Sequence, residues 1–313
     1  MNDIERFENL QTTIKLNPKN FQARRELIML CLDLGFEKVA LSHIDYLLKI
    51  FPDDADLYFN VGICHEKLKN NELALMAYQK AVELKPNDPD FLYNLGLLYE
   101  IMGDLNNALK YLKKVIFYKN EDANAFFSIG IIYSKKDNPK MAVKCFKKAI
   151  EYNYSDYFAH FYLAQEYKKL KELDFALIEY RKVLELSPDY VWAYYNIAQI
   201  YWELDRINDA IVMLNKVLEK NPKDKEALKI LCQIYFKNSK VNKAIELLNS
   251  YCEKDEEDGD IYYLMSKAFE LTDDEDSRLD SLELAIENRK TLTYNFDSIK
   301  AELKELKKSK KSA

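Results

Sequence analysis

Residues 89–122 read PDFLYNLGLLYEIMGDLNNALKYLKKVIFYKNED, a block of 34 residues from which the rest of the chain can be read. Leu92, Leu95, Gly96 and Tyr99 fall at helical spacing through its first half, Met102-Gly103 breaks the pattern, and Ala108 and Leu112 lie on a second helical stretch. Stepping outward by 34 finds the same residue types again. Pro18, Pro52, Pro86, Pro188 and Pro222 are separated by multiples of 34, and Ala40, Ala74, Ala108, Ala142, Ala176, Ala210 and Ala244 follow at 34 each. A period of this size, with two helical patterns inside it, means stacked helix hairpins, none of which can bury its apolar face alone. The expected fold is all-α, a solenoid in one elongated body.

On this ruler residues 1–20 fit only the second half of a unit and predict a lone helix. Eight units follow at 21–54, 55–88, 89–122, 123–156, 157–190, 191–224, 225–258 and 259–292. The last is degenerate, with Arg278 in the alanine register and Lys290 in the proline register. Phe296, Ile299, Leu303 and Leu306 then predict a capping helix within 293–313, ending in a Lys-rich tail. The acidic run at 253–260 reads as a solvated loop.

The eighth position of the units reads Ile28, Gly62, Gly96, Gly130, Ala164, Ala198, Cys232 and Ser266. Small residues there let the two helices of a hairpin approach closely. Three residues on, Tyr99, Tyr133, Tyr167, Tyr201, Tyr235 and Phe269 fill the gap between neighbouring hairpins.

Composition narrows the function classes. The 46 basic and 52 acidic residues give a net charge of −6 with no basic stripe in the periodic region, so no nucleic-acid partner is expected. The start of the chain lacks the apolar core of a secretory signal, and no stretch reaches the length of a membrane span, which predicts a cytoplasmic protein. Cys31, Cys64, Cys145, Cys232 and Cys252 are scattered singly, which suits packed thiols rather than disulfides or a metal site. His43, His65 and His160 lie in different units at packing positions, and the six glycines form no phosphate-binding loop. No catalytic residue, cofactor or metal is expected.

The register Leu92, Leu95, Gly96, Tyr99, Ala108, Leu112 returns as Phe126, Ile129, Gly130, Tyr133, Ala142, Phe146 and as Tyr194, Ile197, Ala198, Tyr201, Ala210, Leu214, Pro222. It resembles the signature of the tetratricopeptide repeat over residues 21 to 292. The resemblance implies a right-handed superhelical solenoid of helix-turn-helix repeats, with the first helix of every hairpin lining a concave groove that holds an extended segment of a partner protein. It implies an adaptor rather than an enzyme. A homo-oligomeric scaffold and an accessory subunit of an enzyme complex are the alternatives.

By helix geometry positions 2, 5, 9 and 12 of a unit form one stripe, with position 6 beside it. Position 5 gives Phe59, Tyr93, Phe127, Phe161 and Tyr195; position 6 gives Asn60, Asn94 and Asn196, which resemble the asparagine ladder by which family members hold a peptide backbone. The family's two-carboxylate clamp is not matched: its register reads Arg25, Met29, Asn60, Asp90, Asn94. Position 9 is apolar in units one to four (Met29, Ile63, Leu97, Ile131) and polar afterwards (Gln165, Gln199, Gln233, Lys267). The polar half also holds Phe158, Trp192, Trp202 and Phe236. Ten residues separate the two tryptophans, close to three turns, so both are expected on the concave side as binding anchors.

Overall fold

The computed structural model describes residues 2–252 and 257–312, so residues 253–256 of the acidic run lie outside the described residues. Among the described residues the regular structure is helical throughout, with no strand. Contacts divide the chain into two compact units, Met1–Glu172 and Leu173–Ala313.

The first unit contains α1 (Asp3–Leu16), α2 (Phe21–Leu34), α3 (Glu37–Leu48), α4 (Ala55–Lys67), α5 (Asn71–Leu84), α6 (Pro89–Ile101), α7 (Leu105–Tyr118), α8 (Ala123–Lys135), α9 (Pro139–Tyr152) and α10 (Tyr157–Lys169). The second contains α11 (Leu173–Leu186), α12 (Val191–Glu203), α13 (Ile207–Lys220), α14 (Lys225–Lys237), α15 (Val241–Cys252), α16 (Gly259–Leu271), α17 (Glu275–Glu287), a one-turn 3-10 helix (Arg289–Thr291) and α18 (Phe296–Ser312). Within each unit, successive helices pair as hairpins and stack on the next pair.

Local chemistry starts and stops these helices on the 34-residue period. Asp54, Asp88, Asp122, Asp156, Asp224 and Asp258, all at position 34, accept backbone N–H groups in the first turn of α4, α6, α8, α10, α14 and α16. Each satisfies donors that a helix start leaves open. At position 15, Gly35, Lys69, Gly103, Asp137, Lys171, Asp205, Ser239 and Asp273 all take left-handed φ between 51° and 83°. The next N–H then returns to the carbonyl of position 11, from Phe36 to Cys31 through Asp274 to Phe269, at 2.8–3.1 Å. This is a Schellman stop, and it turns the chain directly into the second helix.

The hairpin interior is set by size. A Cβ on Gly130 would lie 2.6 Å from the ring of Phe146, and one on Gly62 2.3 Å from the ring of Tyr78. Position 24 thus fills the space that position 8 leaves. The register alanines from Ala40 to Ala244 are all 0% exposed. Between hairpins, Gln79 Nε2 donates to the Tyr99 hydroxyl at 2.8 Å and Arg181 to that of Tyr201 at 2.7 Å, while the ammonium groups of Lys113 and Lys147 lie over Tyr133 and Tyr167.

In the last hairpin Arg278 replaces the alanine and ion-pairs with Glu270 (2.7 Å) and Glu302 (2.6 Å), which joins α16, α17 and α18. Leu282, Ile299 and Leu306 form a small buried cluster under α18.

Candidate functional site

In the first unit the candidate side chains lie on α4, α6, α8 and α10, and most of their surface is spent on packing between repeats. Phe59 stacks on Phe91 with centroids 4.6 Å apart and tilts against Tyr78. The Tyr93 hydroxyl lies 3.2 Å from Ser128 Oγ. Phe127 sits between Phe146 and Tyr162, and Phe161 is buried. Asn60 and Gln165 are half-buried. Asn94 Nδ2 donates to the Asp90 carbonyl one turn back at 2.8 Å, which leaves its Oδ1 as the acceptor the amide can offer outward. Phe158 is exposed beside Tyr157. Met29, Ile63, Leu97 and Ile131 form the position-9 row, Met29 exposed and the others half-buried.

In the second unit the candidates lie on α12 and α14. Trp192 is 60% exposed, and its ring lies 5.9 Å from that of Tyr195. Tyr195 itself is buried and donates its hydroxyl to Asp224, the cap of α14. Burial first, and then that carboxylate, push the phenol well above the ordinary tyrosine range, so it stays a donor. Asn196 Nδ2 donates to the Trp192 carbonyl at 2.8 Å, matching Asn94 in the first unit, and Gln199 is exposed.

Trp202 is less open than Trp192. Ten residues fall about 80° short of three full turns, and the Trp202 ring is half-buried with the Lys237 ammonium 5.0 Å from its centroid. Phe236 packs on the cluster around Leu228, Cys232 and Leu248. Trp192 is thus the tryptophan that remains open.

The Lys237 contact belongs to a ladder that sequence reasoning missed. Position 13 of one repeat reaches back to position 12 of the one before: Lys67 to the Leu32 carbonyl, Lys135 to Glu100 at 3.0 Å, Lys169 to Ser134 at 2.8 Å and Lys237 to Trp202. The signal was a lysine spaced 35 residues after a varied partner, invisible when only identical residues are aligned. Lys169 also pairs with the buried Glu166 at 2.6 Å.

The remaining reactive groups are quenched by burial. It pushes the thiols of Cys31, Cys64 and Cys145 up to about 11 and that of Cys232 to about 12. Burial, then the nearby Arg24 charge, lower the pKa of His43, whose Nδ1 lies 2.7 Å from Arg24. No group of three or more His, Cys, Asp or Glu with metal-binding geometry occurs among the described residues, and no helix there is long and apolar enough to cross a membrane.

Family models described as TPR repeat or tetratricopeptide repeat match residues 67–103, 89–121, 123–156 and 171–231. A model of anaphase-promoting complex, cyclosome, subunit 3 matches residues 203–271. No curated protein matches the chain. Among solved structures, YrrB, a TPR protein with an unusual peptide-binding site, is 26% identical with a TM-score of 0.53, over 60% of this chain and 96% of that one. MamA is 26% identical with a TM-score of 0.51, over 53% of this chain and 97% of its own. A tetratricopeptide repeat protein from Parabacteroides merdae, 16% identical with a TM-score of 0.55 over 80% of this chain and 98% of its own, shares the fold. Repeat register, hairpin geometry and these matches agree, and the chain belongs to the tetratricopeptide-repeat family.

Proposed function

We propose that the chain is a non-catalytic adaptor of the cytoplasm that holds a segment of a partner protein against the first helices of its hairpins, with α12 supplying the anchor. One observation carries this reading. Trp192 stands 60% exposed on a helix whose other aromatic residues are buried or half-buried. An open indole of this kind is the side chain most enriched at binding hot spots. Asn196 and the exposed Gln199 lie along the same helix and supply amides that can bond a peptide backbone. The likeness to YrrB, a TPR protein with an unusual peptide-binding site, supports the same class of ligand.

The test is capture of partners from a lysate by the immobilised chain, followed by titration of a captured protein against wild type and Trp192→Ala. The substitution should weaken binding by about 2 kcal/mol, or roughly thirtyfold in Kd. The melting temperature should stay unchanged, because an exposed ring contributes little to packing. Full affinity in Trp192→Ala would move the site off α12.

A further inference from the structure

We infer that the exposed face of α7 and α9 is a second docking surface, which takes a short acidic segment of a partner protein with an apolar residue beside Phe117. It lies in the first unit and does not depend on the role given to α12. The two helices carry seven lysines and a single acid, Glu151, in a chain whose net charge is −6. Along these helices the lysines never stand more than two together, so a linear reading finds no basic run. The 34-residue period assembles them. Lys110, Lys113 and Lys114 on α7 return as Lys144, Lys147 and Lys148 on α9, at positions 22, 25 and 26 of their repeats. Spacings of three and four put each set on one face of its helix, and both helices border the buried cluster that holds Leu112 and Cys145.

All six of these lysines are exposed. Among the described residues, only Lys148 of the six has a carboxylate against it, Glu151 at 2.7 Å. Lys110 and Lys114 flank the Tyr111 ring, Lys113 lies over Tyr133 and Lys147 over Tyr167, at 5.4–5.8 Å from the centroids. A ring takes one side of an ammonium and leaves N–H donors for an anion. Lys110 with Lys114, and Lys144 with Lys148, are like-charge pairs one turn apart, an arrangement that works against the helix. A carboxylate bound between them turns that repulsion into attraction. Phe117 follows Lys113 and Lys114 by four and three residues, so it shares their face, and it is 80% exposed.

The extent of the patch favours a peptide over a larger polyanion. On α5, one hairpin earlier, positions 22, 25 and 26 are Met76, Gln79 and Lys80, and Lys80 is paired with Glu83 at 2.9 Å. On α3 position 25 is Asp45. A nucleic-acid duplex needs cations that continue along its backbone, and in the first unit these stop at α5. The place of Phe117 is taken on α9 by Glu151, so a lipid surface would find one ring beside an acid. About six extended residues cross two hairpins, each about 10 Å thick.

The experiment is selection of displayed random peptides of about twelve residues on the full chain, with counter-selection on the Lys110→Gln/Lys114→Gln/Lys144→Gln variant. That variant should melt no lower than wild type, since it removes like-charge repulsion. If it does melt lower, Lys144→Gln alone takes its place, with an expected loss of about threefold. The expected winners are rich in Asp and Glu around one aromatic or aliphatic residue. A synthesised winner should bind the triple variant about tenfold more weakly or worse, lose affinity in Phe117→Ala and bind more weakly as salt rises. It should bind Trp192→Ala as it binds wild type. A selection that yields no acidic peptide lost on the lysine variant would overturn the inference. Tighter binding of phosphatidylserine vesicles or a duplex oligonucleotide than of any winner, lost in the same variant, would also overturn it and give the face to a membrane or a nucleic acid. Winners lost only in Trp192→Ala would support α12 as the partner site and overturn this second surface.

Discussion

Position 15 shows how a repeat constrains a single residue. All eight repeats turn left-handed there, yet only Gly35 and Gly103 are glycines. Lys69, at φ 63°, carries a Cβ in a conformation that L-residues avoid. Relief of that strain, about 1–2 kcal/mol, exceeds the extra freedom glycine gives the unfolded chain, about 1 kcal/mol. Lys69→Gly should therefore raise stability by about 0.5 kcal/mol, read as a higher urea midpoint at unchanged slope. Position 8 runs the other way. Gly130→Leu must push into Phe146, already 2.6 Å from a built Cβ, and should cost at least about 1–3 kcal/mol. Lys136→Ala, on the exposed surface, should cost almost nothing, and equal melting temperatures for the two variants would refute the register. The small residue at position 8 was legible because seven of eight units keep it small. The left-handed turn was not, because six of eight units fill position 15 with other residues. The aspartate caps recur at position 34 in six of the eight units, but close to the prolines they read as ordinary loop acids.

At the scale of an element, α18 is the instructive case. Its apolar spacing at Phe296, Ile299, Leu303 and Leu306 announces a helix, and Ile299 and Leu306 are buried. What fixes the approach to it was hidden. Asp260 looks like the end of an acidic run, but it is 1% exposed and accepts the Thr293 N–H and hydroxyl, each at 2.6 Å. Glu302 on α18 likewise receives Lys267 and Arg278. Burial alone would raise both carboxyl pKa values, but the hydrogen bonds and cations outweigh it and hold both below their ordinary values. A depressed folded-state pKa contributes stability above the unfolded value and loses it as the pH falls through the folded one. The cap should therefore loosen on acidification below about pH 4.5, seen as faster amide exchange over 293–306. In Asp260→Asn the acid dependence should be shallower and the neutral-pH protection already reduced. An identical pH profile in the variant would remove Asp260 from the account.

For the whole molecule, the family and the all-α repeat were legible because every unit repeats the same constraints. The identity of the open tryptophan was not, since it depends on how each register residue packs against its neighbours. In a stack of this kind stability is a sum of repeats and nearest-neighbour interfaces, so the loss of an end is felt locally and fades along the array. Deleting residues 307–313 keeps Ile299, Leu306 and Glu302 in place and should leave the chain folded and soluble. Deleting 293–313 uncovers Leu282, removes both hydrogen bonds from Thr293 to Asp260, and takes Glu302 away from Lys267 and Arg278. The shorter chain should lose solubility, and hydrogen exchange should rise most in α16 and α17, less in α14 and α15, and not at all around Tyr78 in the first unit. Equal loosening of every helix would mean that the chain unfolds as one cooperative body, and the nearest-neighbour account would fail. Loosening confined to α16 and α17 would mean instead that their interface with the preceding hairpin contributes nothing.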